Sequence, residues 1–411
     1  MEIRKLSPST KIWKSNGITI AGNSNNGAVI GLDKKGENFI SELSENGLNL
    51  ENVDDEEKRS LVNALETLGY FGEQTASLES AYIHVTDKCN LHCVGCYSYI
   101  TDRNNQIDMT TEQINYVLDE LSKQGVKELV ISGGEPFLRN DIIMILKKAK
   151  SANMRVCIIS NGTLNYEKYL PALPFIDTLS ISVDGYARGI NFIRDKGTTE
   201  RVLDLVDKLK DNVRIHLIFT LHKKNVPFID EYVTLAENLK VSFNFSIFTV
   251  DPHDIVFKDY LLDENDLEII VRKINEGDNI YIDDTVINGK SDGIEGLRCT
   301  TGCKLGCKMI SIAANGNIYP CHMLHNDFSL MGNIFSNDLH EIISNKDNIF
   351  RELSVDDISE CSNCQHKYFC GGGCRGRSYL YYGNYISKDP FCILTKKYLD
   401  ERTAIFKSFT E

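Results

Sequence analysis

From Ala81 the chain repeats one rhythm: six short apolar runs separated by amphipathic stretches. The apolar runs are Ala81–Thr86, Glu128–Ser132, Arg155–Ser160, Thr178–Val183, Arg214–Leu221 and Val241–Phe248. Between them lie Thr110–Gln124, Asp141–Ser151, the shorter Tyr166–Leu170, Thr198–Lys210 and Phe228–Leu239. Thr110-x-x-Gln113 reads as a capping box opening the first of these helices. Strands joined by crossover helices build an α/β fold with a parallel sheet, open or curled into a partial (β/α)6 barrel. Ligands of such sheets gather at the carboxyl ends of the strands.

Those ends carry the unusual residues. Cys89-Asn-Leu-His-Cys93-Val-Gly-Cys96 follows the first strand, and Gly133-Gly134-Glu135-Pro136 the second. Asn161-Gly162-Thr163 follows the third and Asp184-Gly185 the fourth. Thiolates at this spacing hold iron–sulfur clusters or zinc. Three cysteines leave one iron of a four-iron cluster without a protein ligand, and an open iron can bind a substrate or cofactor.

Of the thirteen cysteines, nine lie beyond residue 298: Cys299, Cys303, Cys307, Cys321, Cys361-x2-Cys364-x5-Cys370-x3-Cys374 and Cys392. Disulfide scaffolds are small and secreted, whereas this 411-residue chain opens with Met1-Glu2-Ile3-Arg4-Lys5 and no apolar signal region. Metal-bound thiolates in a reducing cytoplasm are the better account. Cys157, inside Val156–Ile159, reads as a small buried core residue. The net charge of −13 is spread along the chain, which disfavours a nucleic-acid partner. No run approaches the roughly 18–20 apolar residues needed to span a bilayer, so no membrane partner is expected.

The Cys89–Cys96 run resembles that of the radical S-adenosylmethionine (SAM) enzymes. The resemblance implies that Cys89, Cys93 and Cys96 bind three irons of a 4Fe–4S cluster and that the fourth iron chelates SAM. Reduction then cleaves SAM to methionine and a 5′-deoxyadenosyl radical, which takes a hydrogen atom from substrate. Gly133, Gly134, Glu135 and Pro136 are similar to that family's GGE motif, implying contact with the SAM amino group. Ser160 and Asn161 resemble its ribose- and carboxylate-contacting segment, with Ser182, Asp184 and Arg194 as further candidates. The residue before the last cysteine is commonly aromatic there. Here it is Gly95, and Tyr97 is the candidate for aromatic cover.

The later cysteines resemble a SPASM domain: Cys303-x12-Gly316-x4-Cys321, then the Cys361–Cys374 group, then Cys392. The resemblance implies two auxiliary clusters, hence three 4Fe–4S clusters in all. Cys361, Cys364, Cys370 and Cys392 would hold the distal one, and Cys303, Cys321 and Cys374 the proximal one. Its fourth ligand is Cys299 or Cys307, or its fourth iron is open. His322, beside Cys321, is a candidate outer donor or a packing residue.

Residues 17–75 form a unit of their own. Ile18–Ile20 and Ala28–Leu32 read as strands, Glu37–Leu43 and Asp54–Leu68 as helices, with Leu61, Leu65 and Leu68 on one face. This winged-helix-like pattern resembles the RiPP recognition element, which binds leader peptides by adding them as a strand. Lys11, Lys14, Lys34 and Lys35 are candidates to receive an acidic leader. The expected organisation is a peptide-binding module over 1–78, a radical SAM barrel over 79–250, an acidic bridge over 251–298, and a SPASM domain over 299–411 ending in a helix at Leu394–Phe406.

The expectation is a radical SAM/SPASM maturase of the sactionine- or ranthipeptide-synthase type. It would form a thioether or carbon–carbon link in a ribosomally made precursor peptide, with flavodoxin or ferredoxin as electron donor. The alternatives are an anaerobic sulfatase-maturase type, a quinone-cofactor or mycofactocin-like peptide maturase, and a non-catalytic iron–sulfur or zinc-binding interaction protein.

Overall fold

The computed structural model describes residues 4–47, 55–72, 77–276, 297–345 and 347–409. The start of the second front-module helix at Asp54, residues 73–75 of that module, and much of the 251–298 bridge lie outside the described residues.

The strand–helix rhythm folds as its pattern predicts. Strands β4 (Ser80–Thr86), β5 (Glu128–Gly133), β6 (Arg155–Ser160), β7 (Thr178–Val183), β8 (Ile215–Leu221) and β9 (Ser242–Ile247) lie side by side in chain order. Every neighbouring pair is parallel. Helices α3 (Thr111–Lys123), α4 (Ile142–Ser151), α5 (Thr198–Leu209) and α6 (Ile229–Leu239) make the crossovers. The capping box forms, with Thr110 accepting from the Gln113 N–H and Gln113 accepting from the Thr110 N–H. Tyr166–Leu170 is too short and proline-bound for an α-helix and forms 3-10 turns instead.

Register sorts the two sides of this sheet. Ile83, Ile131, Ile158, Leu179 and Ile215 align across five strands and pack in the main core with the helices. The other side carries Tyr82, His84, Ser132, Cys157, Ser180, Ser182, Thr220, Asn244 and Ser246, polar and partly accessible in several strands. Strand β8 alternates buried and half-buried residues along its whole length. Cys157 belongs to this polar side, half-buried with its Sγ 3.3 Å from Ser180 Oγ. The core placement expected for it is corrected. A strand alternates sides, so its buried neighbours Val156 and Ile158 face the helices while Cys157 faces away.

The cysteine-rich region is not a separate layer. Strand β10 (Met309–Ile312) pairs parallel with β4, and β11 (Asn317–Tyr319) and β12 (Gly332–Asn333) extend the sheet to nine strands. The last helix runs over Cys392–Arg402 and continues as a 3-10 segment, Ala404–Phe409.

In the front module, β1 (Thr10–Ser15), β2 (Ile18–Asn23) and β3 (Val29–Leu32) form an antiparallel sheet in that order. Strand β1 was not anticipated. Helices α1 (Lys34–Asn46) and α2 (Glu56–Thr67) are N-capped by Asp33 and Asp55. They bury Ile40, Leu43 and Leu65 against Ala21, Leu32 and Tyr70. The four expected peptide-receiving lysines are already ion-paired: Lys11 with Asp356, Lys14 and Lys34 with Glu37, and Lys35 with Glu57. The module seats on the C-terminal region through Trp13, whose ring meets Tyr368 and Phe369 edge-on at 5.3 and 5.1 Å. Among the described residues no helix is long and apolar enough to cross a membrane.

Candidate active site

The loops after β4, β5, β6 and β7 meet at one rim. The glycine pair after β5 lies against the backbone that leads to the cysteines: Gly134 donates to Thr86 O at 2.7 Å, and Glu135 N donates to Lys88 O at 2.8 Å. A Cβ on Gly134 would lie 2.0 Å from Lys88 O. Packing therefore demands glycine here whatever the loop binds.

Glu135 is turned inward, with no exposed surface. Its carboxylate accepts from Ser160 Oγ at 3.0 Å, Asn161 N at 2.7 Å and Phe137 N at 3.1 Å, which ties the second rim loop to the third. Burial pushes its pKa up to about 7 against these hydrogen bonds. Pro136 opens the short turn that carries Phe137 into the core.

Each sulfur of the first cysteine group has a polar hydrogen donor. Asn161 Nδ2 lies 3.9 Å from Cys89 Sγ, Arg194 Nη1 3.8 Å from Cys93 Sγ, and Arg103 Nη1 3.8 Å from Cys96 Sγ, with Ser98 Oγ 3.5 Å from the last. Arg103 was not anticipated. It is 6% exposed and also donates through Nε to Asp87 O at 2.7 Å. Asn104, likewise unanticipated, accepts from Cys89 N at 3.0 Å. Their polar stretch, seven residues past the last cysteine, carries no sequence signal of its own.

Asp184, a candidate cofactor contact, is buried and braces a neighbouring segment. It is 3% exposed, and one carboxylate oxygen accepts backbone N–H bonds from Phe192, Ile193 and Arg194. The segment it holds grips the cysteine loop: Val94 N donates to Ile193 O at 2.7 Å, and His92 N donates to Asp195. Ser182 lies half-buried on the polar side of β7. Gly95 has φ +66°, and a Cβ there would lie 2.3 Å from Phe248. Phe248 thus fills the space that an aromatic side chain at 95 would need. Tyr97 crosses to the rim of β5, its hydroxyl 2.9 Å from Ser132 Oγ and 44% of its surface exposed.

Behind Tyr97 stands a wall of rings. His322 stacks on Tyr82 at 4.4 Å, and His325 on Tyr319 at 4.4 Å, with His84 4.4 Å from His325. His322 meets Tyr97 edge-on at 5.4 Å, so it packs between the first cysteine loop and Cys321. Burial drives the His84 and His325 pKa values down, the latter to about 3. These rings are therefore neutral at physiological pH.

Cys361, Cys364, Cys370 and Cys392 line one recess together with His366, which bonds Asp400 Oδ1 through Nε2 at 2.9 Å. Cys374 sits next to them, its N–H donating at 2.6 Å to Asp389, which pairs with buried Arg377. Among the described residues no three His, Cys, Asp or Glu donors converge on a point that one ion would occupy. The donor set instead suits clusters: thiols in groups, with N–H groups aimed at the sulfurs of the first group.

The profile of the Radical SAM superfamily matches residues 83–253, and that of the SPASM iron–sulfur cluster-binding domain matches residues 303–365. The chain carries a radical SAM domain and a SPASM domain. It is similar to the AdoMet-dependent heme synthase of Methanosarcina barkeri, 28% identical over 75% of this chain and 94% of that one. It is also similar to the mycofactocin maturase MftC of Mycobacterium tuberculosis, 25% identical over 75% and 81% of the two chains. Among solved structures, Streptococcus suis SuiB bound to its precursor peptide SuiA superposes with TM-score 0.60 at 16% identity. That match covers 95% of this chain and all of SuiB. This radical SAM enzyme therefore shares the α/β fold of its structural relatives, and its two domains imply iron–sulfur clusters and SAM as cofactors.

Proposed function

We propose that this radical SAM enzyme matures a ribosomally synthesised precursor peptide, forming a thioether or carbon–carbon link. The observation that carries the peptide is the front module. Strand β3 pairs with β2 on one side alone among the described residues, leaving an edge to which an extended leader can add. Cys89, Cys93 and Cys96 hold the first cluster at the rim, and the C-terminal cysteines hold two more. Flavodoxin or ferredoxin supplies the electron.

SAM on the reduced cluster supplies a carbon radical that removes a hydrogen atom from the substrate. The chain's own residues hold and shield that chemistry. Arg194, Arg103 and Asn161 fix the sulfurs, Glu135 joins two rim loops, and Tyr97 covers the open side. The polar side of β4–β9 receives the peptide. Its only charged strand residues among those described are Glu128 and Arg155, paired with each other 3.4 Å apart at the end away from the rim. A substrate with several carboxylates, as haem has, would meet no free cation on these strands, and burying unpaired charge is costly.

Anaerobic reconstitution with iron, sulfide, dithionite and SAM tests this reading. The expected product is 5′-deoxyadenosine, lost when Cys89, Cys93 and Cys96 are all replaced by Ala while iron remains in the C-terminal region. A fully loaded sample that yields none overturns the enzyme reading. A product of unchanged mass from a precursor peptide encoded beside the gene overturns the peptide reading.

A further inference from the structure

Nine cysteines lie beyond residue 298. Two four-iron clusters have about eight corners for protein thiolates, so one cysteine is surplus. We propose that Cys307 is the fourth ligand of the proximal cluster, and that Cys299 is a packing residue that seats the front module. This rests on the reading that the C-terminal cysteines bind two clusters.

The backbone around Cys307 is tied to the proximal group. Cys307 N and Lys308 N both donate to Lys304 O, at 3.2 and 3.0 Å, closing a tight turn at Lys304, which has φ +56°. Gly306 N is shared between Met309 O at 2.8 Å and Pro320 O at 3.0 Å. Pro320 immediately precedes Cys321, so the turn that bears Cys307 is bonded to the residue beside one ligand and begins just after another, Cys303. Leu305, Cys303 and Cys321 pack in one cluster with Phe350. The Cys307 thiol is half-buried and donates only to Phe350 O, at 3.4 Å, a weak bond easily exchanged for a metal. Met323, which packs with Cys303 and Cys321, flanks Gly376 together with the Cys374 sulfur.

Cys299 belongs to a different surface. It is 2% exposed, among Trp13, Ile20, Leu297, Tyr368 and Phe369. Its N–H donates to Gly27 O in the front module at 3.0 Å, and Thr300 N donates to Tyr368 O at 2.7 Å. The fit against β2 is close: a Cβ on Gly22 would lie 2.6 Å from both Cβ and Sγ of Cys299. Turning this thiol toward Cys303 would empty the space over Gly22 and unseat the Trp13 contact.

The assignment has a chemical consequence. A proximal cluster with four cysteine ligands offers no open iron, so no sulfur of the peptide can bind it directly. The only open iron is then that of the Cys89–Cys93–Cys96 cluster.

The test uses the full chain, reconstituted anaerobically, as wild type and as Cys299→Val, Cys307→Ala and Cys307→Ser. Iron and sulfide per chain are measured together with electron paramagnetic resonance of the oxidised and reduced samples. Wild type should bind about twelve irons. Cys299→Val should keep the full complement and unchanged spectra. Cys307→Ala should lose between about one and four irons per chain, with a three-iron signal appearing or the proximal signal disappearing. Cys307→Ser keeps an oxygen ligand, so it should retain iron with an altered proximal signal, which separates ligation from failure to fold. Loss of iron in Cys299→Val with none in Cys307→Ala overturns the assignment. So do wild-type iron and spectra in both, which would mean an open proximal iron. A wild-type chain with iron in the first site alone overturns the cluster reading itself.

Discussion

Glu135 gives the sharpest quantitative consequence of the rim geometry. Its carboxylate has no exposed surface and is pushed from 4.5 up to about 7, chiefly by burial. That gap corresponds to about 3 kcal/mol against the ionised form in the folded protein. The folded state therefore binds a proton more tightly than the unfolded state does. Without ligand, Glu135's own contribution to stability is greatest below about pH 4.5 and is lost as pH rises to about 7. A cofactor amino group that donates to Glu135 favours the anion. At pH 6 the carboxyl is about nine-tenths protonated and at pH 8 about one-tenth, so SAM should bind about tenfold more tightly at pH 8 than at pH 6. Calorimetry of the anaerobic holoenzyme in two buffers of different ionisation heat should also show a proton released on binding at pH 6. In Glu135→Gln this slope should vanish. Affinity at pH 8 should fall by roughly ten- to a hundredfold, because a charge-assisted bond contributes about 1.5–3 kcal/mol. A wild-type profile parallel to that of Glu135→Gln, with no proton released, would refute the pairing and leave Glu135 as a brace between loops.

Two further substitutions examine the cysteine loop. Gly95→Tyr, which restores an aromatic before Cys96, should cost about 1–2 kcal/mol for the left-handed backbone and about 1–3 for the collision with Phe248. Iron at the first site should fall, and Gly95→Tyr with Phe248→Ala should recover part of it; no recovery would mean that backbone strain alone is responsible. Asp184→Asn should weaken the three N–H bonds to residues 192–194 by about 2 kcal/mol. Their amides should then exchange roughly thirtyfold faster, with the spectrum of the first cluster perturbed through Arg194 and those of the other clusters unchanged. Unchanged exchange would show that the segment is held by other contacts.

Much of the fold was legible because local periodicity and tertiary burial agree along β4 to β9. The spans Arg155–Ser160 and Thr178–Val183 match their sequence expectation at both ends. The capping box at Thr110 fixes the start of α3 by a purely local bond pattern. Elsewhere the deciding partner is far away in sequence. Strand β10 is four residues long, and its partner β4 lies more than two hundred residues earlier, so nothing local announces that pairing. Strand β1 sets Ile12 and Trp13 side by side between Lys11 and Lys14, and this pattern makes sense only once Trp13 meets Tyr368 and Phe369. Cys157 misled because its apolar neighbours signal burial for their own side of the strand, not for its side. The cysteine groups were legible as spacings, yet Arg103 and Asp389, which brace them, are ordinary polar residues until the fold brings them there.

The rim is better understood as one connected body than as four loops that each contribute a contact. Gly134 and Glu135 fasten the second loop to the backbone before Cys89, and Glu135 fastens the third through Ser160 and Asn161. Asn161 returns to Asn90 at 2.9 Å, inside the cysteine run. Asp184, at the end of the fourth strand, holds the segment that carries Arg194 to Cys93. Every path closes on the cysteine loop. That loop has little regular structure of its own, so its shape depends on these bonds from outside. The buried carboxylates Glu135 and Asp184 are costly to bury, yet each satisfies backbone N–H groups that no strand or helix could reach. The site thus places its buried charge where it orders the cysteine loop.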